Sequence, residues 1–229
     1  MSSAWCGGSV NRGVVIEFDF AAMNGAELLF RTTKEFLRSL DRIPFDESLE
    51  ARYLAGRTYA DGLARLFAQA KTKKTAPKAA RELAAAFASA VAGAVPAAVG
   101  VPFRNFVKAF VDAGFSVAIA TRADLDAVRP AFESVLGENV ILYREESDGY
   151  GFPTWESWRR ACMALEMKHA AVRAISGSGV GVKSALVAGM RSMAVVNDRV
   201  AYQDFGGASE VADELSGKSA RKFLARFSA

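Results

Sequence analysis

Five short apolar runs divide the chain, and between them lie longer stretches whose apolar positions recur at helical spacing. The first run, residues 13–20, reads Gly-Val-Val-Ile-Glu-Phe-Asp-Phe. Nearly continuous apolar character that ends in acids predicts a parallel strand buried on both faces, its C-terminal end facing a site. From 26 to 70 the pattern is helical. Leu28, Leu29, Phe36, Leu37 and Leu40 share a face, Pro44 breaks it, and helical segments continue through Leu66 and Phe67. A basic linker with Pro77 spans 71–78, and an Ala-rich helix over 79–92 is expected to end near Gly93 and Pro96. Pro102 suits the first turn of a helix striped with Phe103, Phe106, Val107, Phe110 and Val111.

After Gly114 strands and helices alternate. Strands are expected at 115–120, 140–143, 171–175 and 192–196, and helices at 125–136, 155–167 and 182–188. A last helical region, 208–227, closes the core. The alternation predicts an α/β fold with a doubly wound parallel sheet, and the helices that follow the first strand form an insert.

At 229 residues, 51% hydrophobic and 24% charged, the chain can bury a substantial interior without metals or disulfides. The most apolar stretch, 83–101, is mostly Ala and is interrupted by Gly93 and Pro96, so no membrane span is expected. Cys6 and Cys162 match no metal spacing and read as two reduced thiols. Residues 1–12 are Ser-rich and lack acids, with no apolar core of a secretory signal. The expected compartment is cytoplasmic or mitochondrial, and the protein is not expected to be secreted. Of the 29 basic residues only Lys71, Lys73, Lys74 and Lys78 cluster. That loop reads either as a solvated run or as a contact for nucleic acid or an acidic partner.

The stretch Val15-Ile16-Glu17-Phe18-Asp19-Phe20-Ala21, followed by Asn24-Gly25 and a helical Phe30-Arg31-Thr32-Thr33-Lys34-Glu35-Phe36-Leu37, resembles the first motif of the haloacid-dehalogenase (HAD)-like superfamily. That motif is a strand ending Asp-x-Asp-Gly-Thr/Val. The likeness is to the helical-cap branch of phosphoglycolate phosphatases and β-phosphoglucomutases, and it covers nearly the whole chain. It implies a Rossmann-like core of residues 1–24 and 98–229 with an all-helical cap over 25–97. It also implies Glu17 at the nucleophile position and Asp19 at the general acid/base position. The extra methylene of Glu17 displaces its carboxylate by more than about 1 Å, which can cost on the order of 100-fold.

Ala118-Ile119-Ala120-Thr121 is similar to the second motif, which implies that Thr121 contacts a phosphoryl group. Gly151-Phe152-Pro153 resembles the Gly-Lys-Pro of the third, with Phe152 in place of the lysine. The fourth motif aligns with Ala174-Ile175-Ser176-Gly177-Ser178-Gly179 and continues to Met190. Both of its magnesium-binding acids are absent, which leaves Glu17 and Asp19 as weak metal ligands at most. Asp204-Phe205-Gly206-Gly207-Ala208 is similar to a late turn of the family.

Gly177, Ser178 and Gly179 open a helix after a strand and read either as an anion-binding turn or as a tight βα connection. Val182 spoils a P-loop match, since that motif needs Gly directly before its Lys. Arg57 lies where the resemblance places a substrate-specificity loop and could meet a substrate anion there, though the favoured reading is a solvated cap arginine. Thr121 could instead cap the next helix. Trp155 and Trp158 read as core, as fillers of the phosphate space, or as partner contacts. A single histidine, His169, makes a triad or zinc site improbable. The expectation is a catalytically inactive HAD-like protein, needing no cofactor, that serves as a binding or scaffold subunit with protein partners. The alternative is a divergent magnesium-dependent phosphatase acting on a small phosphate ester.

Overall fold

The computed structural model describes residues 12–146, 149 and 154–226. The targeting reading of residues 1–12 lies almost wholly outside these, and Cys6, Tyr150 and Gly151-Phe152-Pro153 lie wholly outside them. The first strand, β1 (Arg12–Glu17), is followed at once by a single helical turn, α1 (Phe18–Ala21), and then by α2 (Gly25–Asp41) and α3 (Glu47–Leu49). A π-turn (Glu50–Leu54) continues α3, and α4 (Tyr59–Ala70), α5 (Ala76–Ala98) and α6 (Val101–Asp112) complete the helical run. Then come β2 (Phe115–Thr121), α7 (Leu125–Phe132), β3 (Val140–Arg144), α8 (Trp155–Ala164), β4 (Val172–Ser176) and α9 (Gly179–Val187). The chain closes with β5 (Arg191–Val195), β6 (Glu210–Ala212) and α10 (Gly217–Ala225).

The six strands form one sheet in the order β3-β2-β1-β4-β5-β6, and every pairing is parallel. Successive side chains of a strand point to opposite faces. Val14 and Ile16 therefore join Val117, Ile119, Ile175 and Met193 on one side, where Phe103, Phe106 and Phe110 of α6 and Phe223 of α10 pack. Val15 joins Ala118, Ala120, Val172 and Ala174 on the other, under Trp158 and Ala161 of α8 and Ala185 of α9. Small residues on that second face let α8 and α9 sit close to the strands.

Several boundaries differ from the sequence expectation. β1 stops at Glu17, where pairing with Ala120 ends, and 18–21 turn into α1. α5 runs through Gly93 and Pro96 to Ala98, both residues lying on its exposed side. α7 and α8 end earlier than expected, at Phe132 and Ala164. Part of the last region read as helical is β6, whose three residues pair with β5. Among the described residues no single helix is long and apolar enough to cross a membrane.

Candidate active site

Parallel strands deliver their last residues to one end of the sheet, so Glu17 of β1, Thr121 of β2 and Ser176 of β4 meet there. The turn of α1 then brings Asp19 back over the strand ends. Thr121 Oγ1 donates to Asp19 Oδ1 at 2.7 Å, and the Arg122 backbone N–H donates to Asp19 Oδ2 at 2.8 Å. The Arg122 guanidinium lies 3.6 Å from that same oxygen. On the other side, Ser176 Oγ donates to Glu17 Oε2 at 2.5 Å. The longer acid thus reaches across to β4 and stands against a serine where the family places an acid. Glu17 Oε1 is buried with no hydrogen-bond partner among the described residues.

Arg122 fills the centre of this arrangement. Its guanidinium donates to the Gly149 carbonyl at 3.3 Å and lies 5.4 Å from the Phe20 ring centroid and 5.9 Å from that of Phe87. Phe20 stands at the motif position that is glycine in the family, and Phe87 belongs to α5 of the helical insert. Thr58 pairs with Gly149 in an isolated antiparallel bridge, and Tyr59, the first residue of α4, is buried. The insert therefore closes directly onto the strand ends. Glu17, Asp19, Thr121 and Ser176 are all at most 1% exposed, so solvent does not reach either acid.

Burial sets the electrostatics. Glu17 is pushed up to about 8 by loss of solvation, with Asp19 and Glu145 pushing the same way against Arg122 and the Ser176 hydroxyl. Burial raises Asp19 as well, opposed by Arg122 and Thr121. For Arg122 burial acts downward, but Tyr59, Asp19, Glu17 and Glu145 overrule it and hold the group above its ordinary value. Where the resemblance puts Phe152 in place of the family's lysine, Arg122 supplies a cation beside the acids, engaged with Asp19, Gly149, Phe20 and Phe87.

The turn after β4 is spent on packing. A Cβ on Gly177 would lie 2.0 Å from the Phe20 carbonyl oxygen, and one on Gly181 would lie 2.2 Å from Ser176 Oγ and 2.9 Å from Glu17 Oε2. These glycines admit α1 and the Glu17 side chain. Three donors of the turn are taken: Ser178 N bonds Ser176 Oγ at 3.2 Å, Gly179 N bonds Gln203 Oε1 at 2.7 Å, and Gly181 N bonds Ser178 Oγ at 3.1 Å. Thr121 accepts from Ala123 N at 3.2 Å, while Asp124 is the residue that caps α7. Arg57 turns to the Arg52 carbonyl at 3.1 Å. Trp158 is fully buried between α8 and α9, donating to Ser184 Oγ at 2.9 Å and to the Gly181 carbonyl at 3.1 Å. Trp155 lies at the surface and His169 is exposed in a 3₁₀ turn. Cys162 is buried, its thiol pushed up to about 11 by burial.

Magnesium, which the fold family implies, does not fit these residues. Asp19 has both oxygens bonded to donors and a guanidinium beside it, Ser176 and Ser178 are neutral, and Glu17 Oε1 alone is left to offer. Among the described residues no group of three or more His, Cys, Asp or Glu is placed to hold a metal ion. Arg122, Phe20, Tyr59 and Phe87 went unrecognised in the sequence as residues of this site. Arg122 was detectable, being a cation directly after a buried strand, and so was Phe20, a ring in a glycine position.

The fold, a six-stranded parallel sheet with acids at the end of β1 and a helical insert directly behind them, is shared with solved structures at identities that show likeness of fold alone. Among solved structures the chain is similar to CbbY from Rhodobacter sphaeroides in complex with phosphate, with a TM-score of 0.64, 20% identity, and coverage of 90% of this chain and 95% of that one. It is also similar to β-phosphoglucomutase from Clostridium difficile, with a TM-score of 0.69 at 12% identity, covering 94% and 96%. A predicted phosphoglycolate phosphatase from Haemophilus somnus gives a TM-score of 0.59 at 12% identity, covering 96% and 100%. No family model matches the chain, and no curated protein matches it either.

Proposed function

We propose that this chain is a non-catalytic protein of the HAD-like phosphatase fold, in which the reaction centre has become packed interior and the molecule acts by binding within a larger assembly. The observation that carries the proposal is the state of the two acids. A nucleophile must meet phosphorus in line, and its charge must be offset by a cation and a metal. Glu17 here is without solvent exposure, is neutral up to about pH 8, and is tied to Ser176. The Arg122 guanidinium is held between Asp19 and the rings of Phe20 and Phe87, so the cation beside the acids is engaged within the fold. Binding is supported by exposed apolar side chains on the core, among them Met163, Leu186, Val187, Tyr202 and Val211.

The test is an assay of purified protein with magnesium against a panel of phosphate esters. No turnover above background is expected. Turnover that disappears in Glu17→Ala would overturn the proposal. Elution of the protein from its native source should be that of a defined complex; a free monomer there would remove the support for an assembly role.

A further inference from the structure

The charge of this molecule is concentrated at one end of the helical insert. Segments 38–42 and 71–82 together carry Arg38, Arg42, Lys71, Lys73, Lys74, Lys78 and Arg81 against Asp41 and Glu82, a net charge of +5. The whole chain is +4, so everything else sums to −1. In the sequence the two segments lie some thirty residues apart; the fold joins them. Thr72 Oγ1 donates to Asp41 Oδ2 at 2.5 Å, which ties the α4–α5 loop to the end of α2, and α5 packs along both α2 and α4. All seven cations are exposed. Of the two acids, Asp41 accepts from Thr72, and Glu82 lies 3.8 Å from Lys78.

The chemistry of the patch selects among partners. Protein interfaces are anchored by buried aromatic and apolar groups and are depleted in lysine. None of the exposed large hydrophobic residues of the molecule lies in either segment, and four of the seven cations are lysines. Without an exposed aromatic ring there is no platform on which an unpaired base could stack. What remains are exposed charges spread over three helix ends, of α2, α4 and α5, which suit a regular line of phosphates read without regard to sequence. We infer that this end of the insert is a binding surface for the phosphate backbone of double-stranded nucleic acid, acting independently of the Glu17 site and of its chemistry.

The experiment is a titration of the full chain with two unrelated duplexes of equal length over a range of salt concentrations. Both duplexes should bind alike. If about four phosphates are neutralised, affinity should fall on the order of 100-fold between 50 and 200 mM salt. Lys73 and Lys74 make no side-chain contact that the fold uses, so Lys73→Glu/Lys74→Glu should fold normally, weaken binding at least about tenfold and flatten the salt dependence. Lys218→Glu/Arg221→Glu, the same change of net charge placed on α10, should leave binding within about twofold. Equal loss in both variants, absence of binding at 50 mM salt, or tighter binding of polyglutamate than of either duplex would each overturn the inference.

Discussion

A single methylene decides much of what the strand-end acids can do. An aspartate at position 17 would be held back above its own strand, whereas Glu17 reaches Ser176 on the neighbouring strand and buries its second oxygen without a partner. Desolvation then favours the neutral acid. The consequence for stability has a definite sign. Between about pH 4.5 and 8 the folded protein keeps the Glu17 proton that the unfolded chain gives up. Stability must therefore fall as pH rises through that window, by at most about 1.4 kcal/mol per pH unit from this group. Glu17→Gln removes the titration while keeping the shape. Denaturant unfolding at pH 5, 6.5 and 8 should show a shallower decline for Glu17→Gln than for the parent, and equal slopes would refute the burial argument. Arg122 makes the complementary case. Arg122→Met keeps the length but leaves Asp19 buried without its cation, and is expected to cost about 3–5 kcal/mol at neutral pH, measured the same way.

At the scale of elements, two glycines separate packing from propensity. A side chain at Gly177 collides with the backbone of α1, so Gly177→Ala should destabilise by about 3 kcal/mol, the upper end of what overpacking costs. Gly93 is exposed inside α5, where an added Cβ meets nothing within 4 Å, so Gly93→Ala should stabilise by about 0.5–1 kcal/mol. Thermal unfolding of the two variants checks both signs. The same contrast explains what the sequence could say. β1, β2, β4 and β5 were legible because strands buried on both faces give apolar runs that tolerate few other readings. Residues 18–21 were not, because all four are buried and a single helical turn without an exposed face shows no helical period. Pro96 argued for a helix end, yet Val91 and Val95 are packed on the opposite side and hold the helix together past it. β6 has three residues, too few to alternate. At the site, Glu17 and Thr121 stand at the ends of strands the apolar runs predicted, whereas Asp19, expected within the first strand, lies in α1. Arg122 and Phe20 sit beside Thr121 and Asp19 in the chain, whereas Tyr59 and Phe87 arrive from α4 and α5, a convergence no local pattern records.

For the whole molecule, the question is what fixes the insert to the core, and two arginines of the core answer it. Arg122 projects from the end of β2 to Phe87 of α5. Arg199, in the segment after β5, reaches α2, α3 and the π-turn. Its guanidinium lies 2.6 Å from Glu47 Oε1, 2.6 Å from Glu50 Oε2 and 3.6 Å from Glu27 Oε2, and 4.1 Å from the ring centroid of Phe30. Burial pushes Glu50 up to about 7, with Glu27 and Glu47 pushing the same way against Arg199. A fold that must admit substrate needs an insert that opens, and two multiply bonded guanidinium groups, Arg122 buried and Arg199 half-buried, oppose opening. Arg199→Ala should therefore leave the sheet intact while loosening the insert, with amide exchange in α2 and α3 accelerating at least about tenfold and exchange in β1, β2 and β4 unchanged. Combining it with Arg122→Met should extend the acceleration to α4 and α5, because both attachments of one rigid unit are then lost. Unchanged exchange in α2 and α3 of Arg199→Ala would show that the apolar contacts of α2 and α5 hold the insert without the arginines, and closure would then be a property of packing alone.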